Sequence, residues 1–291
     1  METAILQVST RPNPDPVLKR IVVGYDASPA AERALSDAVT LGKRFKAEIL
    51  VVQVTAPDEN SATSLTALRD ERMREFHDLD AFRNRLATMS VSSRGIVRTG
   101  IVGDTLFNIC CEEKADLLLL GAYGHRLQDR QTLGSTAEFL LRAVPCPTFT
   151  YGPEVTSSFD AVTHDGPVLV PISLPCSAGQ LEQVTKIGKL FDVRLEILHV
   201  AEHGHPTFIR DLEYQCEQLT NLLRYGGIPA KWSLYCGTPA TVITARSVEI
   251  ESPFILIPLR WGHRLSSMTS DNVAAHVIRC SKIPVMTYKV D

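Results

Sequence analysis

The chain has 291 residues, 44% of them hydrophobic and 22% charged, with a formal net charge of −3. That length suits two domains, each large enough to bury a core of its own. The near-balance of 30 basic and 33 acidic residues argues against a nucleic-acid or membrane-surface partner.

Residues 1–18 contain Pro12-Asn13-Pro14-Asp15-Pro16 and read as a flexible tail. They lack the basic start and apolar core of a signal peptide. No stretch of the chain approaches membrane-spanning length, so a soluble, cytoplasmic protein is expected. The first domain is expected over 19–151. It opens with a strand from Lys19 that ends in an acid, Asp26, followed by a helix over Ala30–Phe45 and a strand from Ile49 to Val54. Helices are then expected over Ser64–Met89 and Asp104–Glu113. The wholly apolar Leu117-Leu118-Leu119-Leu120 reads as a buried parallel strand.

The chain leaves that strand through Gly121-Ala122-Tyr123-Gly124-His125-Arg126. Nine residues separate Gly124 from Gly134-Ser135-Thr136, where a helix over Thr136–Arg142 begins. Glycines here let a ligand approach the backbone with no Cβ in the way. Ser135 and Glu138 have the spacing of a capping box. A new helix also presents N–H groups with partial positive charge. Strand end, glycine turn and helix N-terminus together make an anion site, to which Arg126 and Arg130 add positive charge.

A turn-rich stretch over 152–166 reads as a linker, and a second domain is expected over 167–291. Its elements repeat those of the first. Lys19–Asp26 matches Pro167–Ser173, Gly42-Lys43-Arg44-Phe45 matches Gly188-Lys189-Leu190-Phe191, and Pro147–Tyr151 matches Pro284–Tyr288. The matching helices are expected over Ser177–Leu190, Thr207–Tyr225, Pro239–Glu249 and Asn272–Arg279. The glycine loop recurs as Leu259-Arg260-Trp261-Gly262-His263-Arg264, ending at Asn272-Val273. The offset between copies drifts from 147 at Asp26/Ser173 to 138 at Gly124/Gly262, as a divergent tandem duplication would give. Alternating strands and helices imply a parallel sheet covered on both faces, with ligands bound beyond the strand carboxyl ends. That topology brings Asp26 and the Gly121 loop to one crevice.

Gly-x-x-Gly, nine residues, then Gly-Ser resembles the nucleotide-binding signature of the universal stress protein family, in the form found in members that bind ATP. The resemblance covers nearly the whole chain, twice over. It implies an α/β fold of two tandem doubly wound five-stranded parallel-sheet domains. It also implies an adenine nucleotide in the first domain: ATP, with ADP or AMP as alternatives and Mg2+ accompanying the phosphates. Asp26 and the Val54 backbone would then meet adenine. Gly121, Gly124, Gly134, Ser135 and Thr136 would hold ribose and phosphates, with His125 and Arg126 beside them. Asp26 is equally placed to share the helix N-cap with Ser28, and His-Arg persists at His263-Arg264, which favours a structural role for that pair.

In the second copy Ser173 stands for the acid, Leu259 for the first glycine, Asn272 for the third and Val273 for the serine. That half is expected not to hold ATP in the same way. His199, His203 and His205 follow its second strand and read as solvated loop histidines rather than a metal site. The seven cysteines, including the adjacent Cys110-Cys111, show no Cys-x-x-Cys and are expected as reduced, mostly buried thiols. With no Walker-type phosphate loop, the chain reads as a nucleotide-binding stress or signalling protein rather than a dedicated enzyme. A nucleotide-independent scaffold and a slow ATPase are the alternatives. Family members commonly dimerise through their last strands. Here that contact is expected inside the chain, between Thr148–Tyr151 and Val285–Lys289, with a further homodimer possible in principle.

Overall fold

A computed structural model describes residues 18–55, 90–124, 133–157, 166–201, 206–260 and 273–290. The helix expected over Ser64–Met89, the pair His125-Arg126, His203, His205 and most of the second glycine loop lie outside the described residues.

The first half supplies strands β1 (Arg20–Gly24), β2 (Glu48–Thr55), β3 (Ser93–Thr99), β4 (Leu117–Gly121) and β5 (Thr148–Tyr151). Its described helices are α1 (Pro29–Phe45), α2 (Val102–Glu112) and α3 (Ser135–Ala143). The second half supplies β6 (Val168–Pro171), β7 (Leu195–Ala201), β8 (Ala230–Cys236), β9 (Ile255–Arg260) and β10 (Val285–Val290). Between them run α4 (Ala178–Phe191), α5 (Pro206–Tyr225), α6 (Pro239–Glu249) and α7 (Val273–Cys280).

The ten described strands form one sheet, in the order β3-β2-β1-β4-β5-β10-β9-β6-β7-β8. Pairings within each half are parallel. The seam is antiparallel, with Met286 opposite Phe149 and Val285 opposite Thr150. Each half thus orders its strands alike, and the last strands face each other across the seam.

Side chains alternate through the sheet, as strand geometry requires. Val23, Val51 and Leu119 pack toward α1, in a cluster that continues through Phe149 into Phe191, Phe254 and α4. Val22, Leu50 and Leu118 point the other way, toward α2 and α3. The described strands and helices therefore form an α/β/α sandwich.

Helix starts are set by local chemistry. Ser28 caps α1 by accepting from the Ala31 amide at 3.2 Å, and Pro29 follows at the first turn. Ser177 caps α4 in the same way, through the Gln180 amide. The capping box expected at Ser135 and Glu138 does not form. Gly134 takes the extended N-cap position (φ −60°, ψ 139°), so Ser135 is already the first helical residue and no side chain caps the helix.

One further expectation, that of mostly buried thiols, needs correction, and the stretch after β5 shows detail of its own. The turn-rich stretch after β5 is docked over its first part: Val155 is fully buried and the Thr156 amide donates to the Lys282 carbonyl at 3.0 Å. The thiols are all free, but only Cys110, Cys146 and Cys216 are buried, while Cys111, Cys236 and Cys280 are exposed.

One buried charge sits in the second half. Glu196 on β7 is wholly buried, and Arg246 of α6 donates to its Oε1 at 2.7 Å. Ser233 donates to the same oxygen at 2.9 Å, and the Lys231 ammonium lies 2.9 Å from Oε2. Burial pushes this carboxyl upward, but the hydrogen bonds from Arg246, Lys231 and Ser233 outweigh it and hold the pKa below 4.5. Removing the only partner of a buried charge costs about 3–5 kcal/mol. Since Lys231 remains, Arg246→Met is expected to cost roughly 2 kcal/mol by urea unfolding. A depressed carboxylate contributes stability above its unfolded pKa, which is lost as pH falls through the folded value. The stability gap between wild type and Glu196→Gln should accordingly close below pH ~4.

Candidate functional site

β1 lies between β2 and β4, so the chain turns in opposite directions on either side of it. Ligands bind doubly wound sheets at such a switch point, beyond the carboxyl ends of the strands. The register of Val23 with Leu119 brings the two strand ends level. Asp26 follows one, and Gly121 to Gly124 follow the other.

Asp26 is exposed at the rim of this crevice. Its Oδ1 accepts the Ser28 amide at 3.0 Å, which braces the turn into α1. Ser28, not Asp26, is the N-cap. The second oxygen faces the glycine loop: a Cβ on Gly124 would stand 3.4 Å from Asp26 Oδ2. The acid is therefore held by one oxygen and presented by the other.

Gly121 ends β4 against the start of α1, where a Cβ would stand 3.0 Å from the Ala30 Cβ and 3.3 Å from the Tyr123 carbonyl. Its glycine thus serves close packing as well as access. The loop closes where Gly134 donates to the Ala122 carbonyl at 3.0 Å, which brings the α3 N-terminus to the end of β4. That bond commits the Gly134 amide. The donors that α3 offers a ligand are consequently the first-turn amides beginning at Ser135, whose side chain is exposed, and the hydroxyl of half-buried Thr136. Val54 is half-buried near the end of β2 and packs against the α2 side of the sheet.

Beneath the site lies a pair the sequence reading did not single out. Tyr151 donates to Asp37 Oδ2 at 2.8 Å, and both side chains are fully buried. Burial and then the Asp37 carboxylate raise the Tyr151 phenol well above its usual pKa, so it stays a donor. The signal available was an acid on the apolar face of α1, with no sequence cue to its partner.

The matching crevice in the second half is built differently. Leu259 takes the place of Gly121 and is buried with Ile257 and Ala274. Ser173 is exposed where Asp26 would be, and α7 begins at Val273 where α3 begins at Ser135. His199 spends Nδ1 on the Ile172 carbonyl at 2.9 Å. Among the described residues no group of His, Cys, Asp or Glu is placed to hold a metal ion. Nor is any helix among them long and apolar enough to cross a membrane.

Residues 18–151 match the universal stress protein family. The first half of the chain is a universal stress protein domain. The chain is 25% identical over 142 residues to a universal stress protein from Methanocaldococcus jannaschii, covering 46% of this chain and 82% of that one. It is 29% identical over 126 residues to one from Mycobacterium tuberculosis, covering 40% of this chain and 84% of that one. A crystal structure of a universal stress protein from Archaeoglobus fulgidus aligns along 94% of this chain and 97% of its own, with a TM-score of 0.71 at 20% identity. At that identity the likeness speaks for the fold, and it spans both halves.

Proposed function

We propose that the first half of this chain binds one adenine nucleotide, and that the second half does not. The observation that carries this reading is the meeting of three features at one strand edge. These are the Asp26 carboxylate with one oxygen turned to the crevice, the Gly121–Gly124 turn without side chains, and the start of α3. A carboxylate accepts from an exocyclic amine, whereas helix amides and hydroxyls receive phosphate oxygens. Asp26 would meet the adenine amine, beside the Val54 backbone. Gly121, Gly124, Ser135 and Thr136 would line the ribose and phosphates, with Gly134 fixing the start of the helix rather than donating. His125 and Arg126 belong to the same loop.

ATP is the reading's first ligand, ADP and AMP its alternatives, and Mg2+ accompanies the phosphates as counterion. Bound nucleotide would set the conformation or partner choice of a cytoplasmic stress or signalling protein. Linker 152–166 and domains 19–151 and 167–291 complete the reading, with the second domain as its structural partner. The buried Leu259 supports that division, since it fills the space a glycine would leave open.

The test is to release small molecules from the purified protein and count adenine nucleotides per chain, then titrate ATP into wild type and Asp26→Ala. One nucleotide per chain is expected, with affinity about tenfold weaker in the variant, the scale of one charged hydrogen bond. Two per chain would overturn the assignment of the second half. None, with no binding on addition, would leave the scaffold reading.

A further inference from the structure

The roots of the glycine loop rest on the second half of the molecule. Ala122 lies at the start of the loop and Leu133 at its end, and both are buried in the cluster formed by Ile257, Leu259, Ala275, Ile278 and Val285. The same cluster takes Leu141 of α3, whereas Ala137 and Leu140 of that helix belong to the first-half cluster with Leu106 and Ile109. The C-terminal end of α3 is also tied across the seam, because Lys289 of β10 donates to the Leu141 carbonyl. A cation at a helix C-terminus is the favourable sign there. Beyond the other end of β5, the Gly152 backbone lies so close to the Ile278 carbonyl that any Cβ would collide.

The arrangement is one-sided. The first-half cluster around Val22 and Leu118 contains no second-half residue among those described. The two roots are also bonded into one unit, since Gly134 donates to the Ala122 carbonyl at 3.0 Å and Ala122 donates to Tyr151 of the seam strand at 2.8 Å. A shift of α7 or β10 therefore moves the place where α3 begins, because close-packed interiors transmit displacement rather than absorb it.

We infer that the second half is the positioning element of the first-half crevice, with Ile278 and Lys289 setting where α3 presents its first-turn amides. The consequence for affinity rests on the nucleotide reading above; the positioning itself does not. By linkage, a ligand in the crevice and a tight seam stabilise each other. A partner that engages α7 would then change nucleotide affinity without touching the crevice.

The experiment compares Ile278→Ala, Ile278→Val and Lys289→Met with Leu223→Ala, a fully buried truncation on α5 away from the seam. Amide hydrogen exchange is read at Glu138, Phe139 and Leu140 of α3, with Leu35 and Ala38 of α1 as the internal reference, and ATP affinity is measured by calorimetry. In Ile278→Ala, α3 exchange is expected to rise about tenfold against α1 and ATP to bind about tenfold more weakly, the usual scale of coupling. Val restores both, and Leu223→Ala lowers the melting temperature without changing either. If Ile278→Ala does not fold, Lys289→Met decides with the same readouts. Unchanged α3 exchange in the seam variants, or an equal rise in Leu223→Ala, overturns the inference. If wild type binds no adenine nucleotide, the nucleotide reading fails while the α3 exchange still decides the positioning.

Discussion

Gly124→Leu is expected to abolish adenine-nucleotide binding and leave the fold intact. Gly124 is exposed, and among the described residues a Cβ there would meet Asp26 Oδ2 alone, at the ordinary contact distance of 3.4 Å. Its backbone lies outside the left-handed range, so a side chain introduces no strain of that kind. The remaining atoms of leucine must then occupy the space in front of the carboxylate, where the ligand would sit. Forcing that volume onto a bound nucleotide costs about 3 kcal/mol or more, over a hundredfold in Kd.

Gly121→Leu should differ in kind. Its Cβ would press on Ala30 at 3.0 Å, so binding and about 1–3 kcal/mol of stability are lost together. Calorimetry with ATP, paired with thermal melting, separates the two variants. Wild-type affinity in a folded Gly124→Leu would sink the placement of the ligand. The second half shows how a leucine is accommodated at the Gly121 position. There three residues separate Ser173 from the N-cap Ser177, whereas one separates Asp26 from Ser28.

Much of this was readable from the chain because the signals were local. Leu117–Leu120 is a run with no polar residue, and it is the buried β4. The residues flanking each described helix named its ends to within two positions, since Ser28, Pro29 and Ser177 act on their own neighbours. The parallel pairing within each half followed from the same alternation read twice. What was missed depends on contacts between distant residues. Glu196 interrupts an apolar strand, and only its partners Lys231, Ser233 and Arg246, all far along the chain, explain why it can be buried. Asp37 needs Tyr151, and Ala122 and Leu133 need a cluster drawn from the other half. The Ser135–Glu138 spacing misled because the same four-residue pattern fits a helix that starts at Ser135 as well as one capped by it. Backbone angles at Gly134 decided between them.

Phe149→Ala tests whether the seam makes the halves one folding unit. Phe149 is 1% exposed on β5, and its ring meets Phe254 at 5.1 Å and Phe191 at 6.1 Å, both from the second half. Phe45 of α1 meets the same Phe191 at 5.7 Å, so the aromatic group bridges both halves on one face of the sheet. Removing a buried phenyl typically costs about 3–5 kcal/mol, from lost transfer energy and the cavity left behind. The substitution lies in the first half, whereas both tryptophans, Trp232 and Trp261, belong to the second. Tryptophan fluorescence during urea unfolding thus reports the far side of the seam. If the sheet unfolds as a unit, that fluorescence transition moves to lower urea by the full cost and coincides with loss of helix signal by circular dichroism. A tryptophan transition that stays at its wild-type midpoint, while half the helix signal melts earlier, would mean that the halves fold separately. In that event the second half could not position the glycine loop through this aromatic core, and the support would have to come from the Ala122–Leu133 cluster, Lys289 and the Gly152–Ile278 approach.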